Sequence, residues 1–155
     1  MRLNEGLNDI KKNCLVGVFL LLSFESFSAF ACNCGYSLEH FYEKSKSVHL
    51  IKVTNLKLIK ASETNNVKVD FDLTDTLSAN KSIPKNILLK PGGCTPSLMP
   101  GFAYVIFIPK NNSTETFINK CTGIIELGLL EHPAAQEKVK AIKEEIIELD
   151  RKFSG

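Results

Sequence analysis

The pattern of apolar and polar residues along the chain predicts a mostly β protein. It is clearest at residues 67–77, which open with strict alternation of apolar residues at odd positions and polar ones at even positions, as expected for a strand with one buried face. The residues predicted to face inward are Val67, Val69, Phe71 and Leu73. Apolar and β-branched runs predict further strands at residues 48–60, 83–90 and 103–109, and one or two more at 115–127.

Turn-forming residues separate these segments. Turns are predicted at residues 62–66, 78–82 and 110–114. Residues 91–101 are rich in proline and glycine and contain Cys94, which predicts an irregular loop held by a disulfide. Several short strands between such turns are typical of a small barrel, here with about five antiparallel strands.

Two helices are predicted to flank the strands. Ser37 can cap a short helix over residues 37–47. At residues 133–153, apolar residues recur every three or four positions and form one stripe along a longer amphipathic helix. The stripe consists of Ala135, Val139, Ile142, Ile146, Leu149 and Phe153. It predicts that the helix docks on the strands of its own domain, with pairing to a second chain as the alternative.

The first 31 residues are predicted to be a signal peptide rather than part of the fold. A polar, basic start is followed by the uncharged apolar run 14–24 and by Ala29-Phe30-Ala31, which resembles a cleavage site. The apolar run is about half of the roughly 20 residues that a membrane-spanning helix needs. We therefore expect cleavage after Ala31, a single domain at residues 32–155, and no stable membrane span. The expected location is secreted, periplasmic or extracellular, and a retained membrane anchor is the alternative.

Four cysteines remain after this cleavage, an even number in an oxidising compartment: Cys32, Cys34, Cys94 and Cys121. One residue separates the first two, so a bridge between them would close a very small, strained ring. The spacing therefore favours two long bridges from Cys32 and Cys34 to the other two cysteines, in either order. A zinc site built from all four is the alternative, and lipidation of Cys32 is a second one because this residue follows the cleavage site.

Charge and motifs argue against nucleic-acid binding and against catalysis. The 19 basic and 17 acidic residues give a net charge of +2, and they are dispersed along the chain. No catalytic or phosphate-binding motif is present, and the three histidines lie on separate predicted elements: His40, His49 and His132. The acidic group Asp70, Asp72 and Asp75 is interpreted as a solvated face, with a calcium site as the alternative. We therefore predict a binding protein that is not an enzyme and has no cofactor of its own.

The cysteine pattern resembles that of netrin-like domains, and within them the tissue inhibitors of metalloproteinases. The resemblance lies in CNCGYSLEHFYEKSKSVHLIKV, starting at Cys32, and in a loop and strand marked by Cys94, Gly101 and Tyr104. It extends to about Leu127. The resemblance implies a five-stranded antiparallel barrel of the oligonucleotide/oligosaccharide-binding (OB) type at about residues 32–127, ahead of the C-terminal helix. It also implies the disulfides Cys32–Cys94 and Cys34–Cys121.

The same resemblance implies an inhibitory ridge formed by Cys32, Asn33 and Cys34. The α-amino group and carbonyl oxygen of Cys32 would bind the catalytic zinc of a target protease, and Asn33 would enter its specificity pocket. The chain departs from the inhibitors at Asn33, where they have small β-branched or hydroxyl residues. It also lacks their third disulfide and their separate C-terminal subdomain. The alternative function is a non-catalytic interaction module that binds an extracellular or envelope protein.

Overall fold

The computed structural model describes residues 34–61, 64–78, 80, 83–90, 92, 94–110 and 116–154. Within them the protein is mainly β, as predicted. The elements in chain order are α1 (Leu38–Lys44), β1 (Ser45–Ala61), β2 (Thr64–Thr76), β3 (Ile87–Leu89), β4 (Ala103–Pro109), β5 (Thr116–Phe117), α2 (Lys120–Gly123), β6 (Ile124–Gly128) and α3 (Pro133–Ser154). The predicted signal peptide, Cys32 and Asn33 lie outside the described residues.

The described strands form one six-stranded sheet in the order β5-β3-β2-β1-β4-β6. All neighbours are antiparallel except β3 and β5, which run parallel. The prediction of about five antiparallel strands is therefore corrected to six strands with one parallel pair. The physical reason is the helical turn α2, which interrupts the predicted strand region 115–127 and leaves β5 and β6 at the two edges of this sheet.

The short connection between β5 and β6 requires the sheet to curl. These strands are consecutive along the chain, and α2 occupies most of the segment between them. A connection with four helical residues can join Phe117 to Ile124 over at most about 19 Å. A flat sheet of six strands would place its two edge strands about 24 Å apart. The sheet therefore curls toward a half-barrel, as the structure shows.

Strand β4 is buried on both faces, which explains why its sequence is almost entirely apolar. Tyr104, Ile106 and Ile108 belong to a core cluster that also contains residues of β1, β2 and β3. Ala103, Val105 and Phe107 belong to a second cluster, on the other face, with residues of α3. The strand prediction at residues 103–109 is confirmed.

Helix α3 covers the second face of the sheet. Ala135, Ile142 and Ile146 are buried there with residues of β1 and β4, which confirms that the predicted stripe docks on the protein's own sheet. The last residue of the predicted stripe, Phe153, is instead 47% exposed. No helix of the described chain is long and apolar enough to cross a membrane.

The first helix ends earlier than predicted. Ser37 caps it by accepting a hydrogen bond from His40 N at 3.2 Å, but the helix stops at Lys44 rather than at residue 47. Strand β1 begins at Ser45, and Ser45 and Ser47 are buried. The helix prediction was wrong here because these inward positions carry polar rather than apolar side chains, which hides the strand alternation.

Two other strand predictions also need correction. The segment predicted at 83–90 is a strand only at Ile87–Leu89, which pairs with Val67 to Val69 of β2. Leu73, predicted to face the core, is 38% exposed. The partner strand β3 is short and pairs only with Val67 to Val69, so it does not extend along the part of β2 that carries Leu73.

Candidate functional site

A disulfide joins the start of the described chain to the turn between β5 and β6. Cys34 is bonded to Cys121 of α2, 87 residues away, with 5.1 Å between the two Cα atoms. This is one of the two bridges that the family resemblance implies. It also excludes a zinc site made from all four cysteines, because a disulfide sulfur is not available as a thiolate ligand.

Local hydrogen bonds fix the helical turn that carries Cys121. Asn119 Oδ1 accepts from the backbone N–H groups of Cys121 and Thr122 at 2.7 and 2.9 Å. In return, Thr122 Oγ1 accepts from Asn119 N at 2.9 Å, which completes a capping box. The bridge therefore attaches Cys34 to a turn with a defined backbone rather than to a loose loop.

The loop containing Cys94 lies against the same turn. Lys120 N donates to Cys94 O at 2.9 Å, so the backbone of Cys94 lies next to the residue preceding Cys121. Cys94 is itself disulfide-bonded. Its predicted partner, Cys32, lies outside the described residues, as does Asn33, so the Cys32–Cys94 bridge and the inhibitory ridge stay predictions.

An open cleft of about 330 Å³ lies beside the Cys34–Cys121 bridge. Its lining residues are Cys34, Pro96, Ser97, Tyr104, Lys120, Ile124 and Glu126. Tyr104 is buried, and its hydroxyl accepts a hydrogen bond from Met99 N at 3.0 Å. Burial raises the pKa of the Tyr104 phenol, and the nearby Glu126 carboxylate acts in the same direction, so this phenol stays protonated at neutral pH. Exposed Lys120 and Glu126 place opposite charges on the lining of the cleft.

Two large exposed side chains belong to the segments beside the disulfide. Tyr36 follows Cys34 in the chain, and Met99 lies on the loop that contains Cys94. Tyr36 N donates to Cys34 O at 2.8 Å, and the Tyr36 ring, 52% exposed, stacks on His40 with 4.2 Å between ring centroids. Met99, next to the cleft residues Pro96 and Ser97 in the chain, is 44% exposed. Tyrosine is enriched among the residues that contribute most of the energy of protein interfaces, and methionine is enriched in their composition. The arrangement thus suits non-covalent recognition of another protein.

The structure does not bring the three histidines together. His40 stacks on Tyr36, His132 Nδ1 accepts from Ala134 N at 3.3 Å, and His49 is buried in β1. Among the residues that the structure describes, no group of three or more histidine, cysteine or acidic side chains could hold a metal ion. A catalytic triad or metal site from the histidines therefore has no support.

The acidic face of β2 is explained by pairing with lysines. Asp70 Oδ2 lies 2.6 Å from Lys57 Nζ, and this hydrogen bond lowers the pKa of Asp70. Asp75 Oδ2 lies 2.6 Å from Lys143 Nζ, which lowers the pKa of Asp75 in the same way. These contacts agree with the interpretation as a solvated, charged face.

The sequence pattern did not indicate Lys120 or Glu126 as site residues. Their only signal is position, because Lys120 directly precedes Cys121 and both residues lie in the region 115–127, which was predicted to hold one or two strands. In the structure Lys120 lies on α2 and Glu126 on β6, and both line the cleft beside the disulfide.

Comparison with known proteins adds no family assignment. No family model matches this chain, and no curated protein matches it. The site is thus defined by its own geometry. It consists of the first described residues, held by the Cys34–Cys121 disulfide, an open cleft beside that disulfide, and exposed Tyr36 and Met99.

Proposed function

We propose that the protein is an exported, netrin-like inhibitor of zinc metalloproteinases. In this proposal the free α-amino group and carbonyl oxygen of Cys32 bind the catalytic zinc of the target. The observation that carries the proposal is the Cys34–Cys121 disulfide, which fixes the chain two residues after the proposed terminus. The protein itself needs no cofactor, since the zinc belongs to the protease.

Elementary coordination chemistry supports this mechanism. An α-amino group has a pKa of about 8, so it loses its proton at neutral pH at modest cost and can donate its lone pair. Catalytic zinc sites keep an open position that such a ligand can take from water. A terminus held by a disulfide loses little further conformational freedom on binding, which favours affinity. Cys32 therefore acts as chelator, Asn33 as the residue that selects the target, and Cys34 as the attachment point.

The sheet is compatible with the OB-type barrel that the resemblance implies. If β5 and β6 are counted as one strand interrupted by α2, the sheet has five strands, and its curl brings the two edges toward each other. Partly open five-stranded barrels are the usual form of that fold. In this arrangement Cys121 lies on α2, at the point where the fifth strand is interrupted.

The second candidate function is a non-catalytic interaction module that binds an extracellular or envelope protein. The observation that favours it is the exposure of Tyr36 and Met99, since these side chains can bind a partner without any zinc contact. In this case the partner would meet the cleft side of the protein, and the chemical state of Cys32 would not matter.

One added residue distinguishes the two functions. Placing an alanine before Cys32 moves the terminal amine by about 3.5 Å, which is much larger than the tolerance of a zinc–nitrogen bond of about 2.0–2.1 Å. The exported protein and the extended variant are titrated against a panel of zinc endopeptidases, with intact mass and N-terminal sequencing to establish the first residue. We expect inhibition by the protein that begins at Cys32 and none by the extended form.

Two controls make the result specific. The melting temperature of the extended variant is expected to stay unchanged, because the disulfides are untouched. Asn33→Thr is expected to alter which proteases are inhibited without abolishing inhibition. Equal inhibition by the extended form would rule out chelation, and absence of inhibition by every form would favour the interaction module.

A further inference from the structure

A second cavity, of about 290 Å³, lies where α1 meets β1. Residues of the α1 end, the β1 start, the segment after β2 and the last turns of α3 line it. Among the described residues, it shares no lining residue with the cleft beside the disulfide. Its size is at the lower end of the range for small-molecule sites, about 300–1,000 Å³. We refer to it as the hydroxyl pocket, after the serines Ser45, Ser47 and Ser78 in its lining.

The hydroxyl pocket has a polar floor inside a largely apolar protein. Ser45, Ser47 and Ser78 are all at least nine-tenths buried. Ser45 Oγ donates to Tyr42 O at 2.8 Å. Ser78 Oγ donates to Asn80 O at 3.0 Å and accepts from Val48 N at 2.9 Å. Each hydroxyl oxygen has two lone pairs, so Ser45 and Ser78, whose protons are engaged, offer acceptor capacity to a ligand that carries O–H groups.

A buried histidine extends this polar floor into the protein. His49 is fully buried, and its Nε2 lies 2.9 Å from Ser47 Oγ. Its Nδ1 lies 3.1 Å from Thr76 Oγ1. Burying Ser47 and His49 in one chain of hydrogen bonds with the half-buried Thr76 costs desolvation energy that an apolar floor would avoid. The pocket therefore retains polarity at a position where packing alone favours apolar residues.

One wall of the hydroxyl pocket is aromatic. Tyr42 and Phe153 stack with 5.9 Å between ring centroids and 28° between ring planes. Phe153 is 47% exposed, although it lies on the apolar stripe of α3. Lys152 Nζ lies over the Phe153 ring, 5.6 Å from its centroid, and part of the ring stays exposed beside this contact and the Tyr42 stack. A ring of this kind suits stacking against the C–H face of a saturated ring.

The charged side chains that line the hydroxyl pocket are balanced between acidic and basic groups. Glu43 and Asp150 are matched by Lys46 and Lys110. Asp150 also accepts a hydrogen bond from the Tyr42 hydroxyl. A rim with two charges of each sign gives little net attraction to a strongly charged ligand such as a phosphate or a polyamine. Neutral ligands are therefore favoured.

We propose that the hydroxyl pocket binds a neutral polyhydroxylated ligand, namely one hexose unit. Its hydroxyls would donate to Ser45 Oγ and Ser78 Oγ, and its C–H face would stack on the exposed part of the Phe153 ring. The unit is either a free sugar or the end of a glycan, since both present the same chemistry. This activity is independent of Cys32 and of the proposed inhibition.

The test is an NMR titration of the exported protein with neutral sugars. Glucose, galactose and N-acetylglucosamine are each compared with their methyl glycosides, which imitate a glycan end. We expect at least one of them to shift the amide resonances of Ser45, Ser47 and Ser78 in a saturable way. Preference for the free sugar or for its methyl glycoside identifies the source of the ligand.

Phe153→Ala and Ile147→Ala form a matched pair for this test, since both side chains lie on α3 and are 47% exposed. Only Phe153 lines the pocket. We expect roughly three- to tenfold weaker binding in Phe153→Ala, unchanged binding in Ile147→Ala, and recovery in Phe153→Tyr. Absence of shifts with all six sugars, equal binding by Phe153→Ala, or stronger shifts with inorganic phosphate would each overturn the proposal.

Discussion

The hydroxyl of Tyr42 in α1 donates a hydrogen bond to the carboxylate of Asp150 in α3, across 108 residues of chain. Two neighbouring contacts join the same helices. The Tyr42 and Phe153 rings stack, and Lys152 Nζ lies 2.5 Å from Glu39 Oε1. The last turns of α3 thus hold the helix that follows Cys34 directly in the chain.

Removing the Tyr42 hydroxyl tests the strength of this contact. Tyr42→Phe keeps the ring and deletes the donor, so the partly buried Asp150 carboxylate loses a partner. We expect the free energy of unfolding, measured by urea denaturation, to fall by about 1–3 kcal/mol. Lys152→Met is the comparison variant, because its ion pair is exposed and should contribute at most about 1 kcal/mol. Equal losses in the two variants would show that the Tyr42 hydrogen bond contributes no more to the free energy of unfolding than an exposed ion pair.

The same pair predicts a loss of stability at high pH. Burial, and then the hydrogen bond to Asp150, raise the pKa of Tyr42 to about 12. The folded protein therefore holds this proton more tightly than the unfolded chain, in which tyrosine has a pKa of about 10. The resulting stabilisation is complete below about pH 10 and is lost as the pH rises through about 12. We expect wild type to lose more stability than Tyr42→Phe across this range, and parallel curves would contradict the assignment.

Gly123 is predicted to be intolerant of substitution. Its φ is +102°, and a Cβ at this position would lie 2.8 Å from Phe107 Cβ. Gly123→Ala should therefore combine backbone strain with overpacking and destabilise by about 2–5 kcal/mol. Gly128→Ala provides the control, because Gly128 also has a positive φ but a Cβ added there would meet nothing within 4 Å. A similar loss in both variants would show that the close approach to Phe107 is unimportant.

The Cys34–Cys121 bridge is predicted to contribute strongly to stability. It closes a long loop, with a sequence separation of 87 between its ends, so its removal gives the unfolded chain much more freedom. Cys121→Ser should lower the free energy of unfolding by about 2–5 kcal/mol. The double variant Cys34→Ser/Cys121→Ser controls for effects of the remaining thiol. Wild-type stability in the double variant would refute the prediction.

The ion pair between β2 and α3 is expected to matter little. Asp75 and Lys143 have side chains that are 43% and 41% exposed, so water screens their attraction. The pKa of Asp75 is lowered, chiefly by its hydrogen bond to Lys143. Its contribution is therefore present above about pH 4 and lost as the pH falls through the lowered value. A double-mutant cycle with Asp75→Asn and Lys143→Met should give a coupling below about 1 kcal/mol, and a value above about 2 kcal/mol would contradict this.

Elements with a regular apolar period could be predicted from the sequence. Strand β4 and helix α3 are both found at their expected positions, because one is buried on both faces and the other presents a single stripe. The boundary between α1 and β1 could not be predicted in this way. The buried start of β1 carries polar side chains that are held by hydrogen bonds, namely Ser45, Ser47 and His49. A hydrophobicity pattern cannot identify buried positions that are polar.

The candidate site was predictable only where covalent chemistry constrains it. Cysteine spacing favoured long bridges, and the family resemblance supplied the Cys34–Cys121 pairing that the structure contains. The cleft beside it is lined by Lys120 of the turn α2 and by Glu126 of β6. A helical turn of four residues is too short to leave a period in the sequence, so the break between β5 and β6 and the two cleft residues beside it were not identified.

Helix α3 follows every strand of the described sheet in the chain, which sets an order of events during biosynthesis. The ribosome makes this helix after those strands, yet it supplies residues that pack with Val105 and Phe107 on the second face of β4. Until α3 has been made, this apolar face lacks the cover that the helix provides and is open to chaperones or to aggregation. Polypeptides truncated before Pro133 should therefore be recognised by cellular quality control, even though they contain every strand of the described sheet.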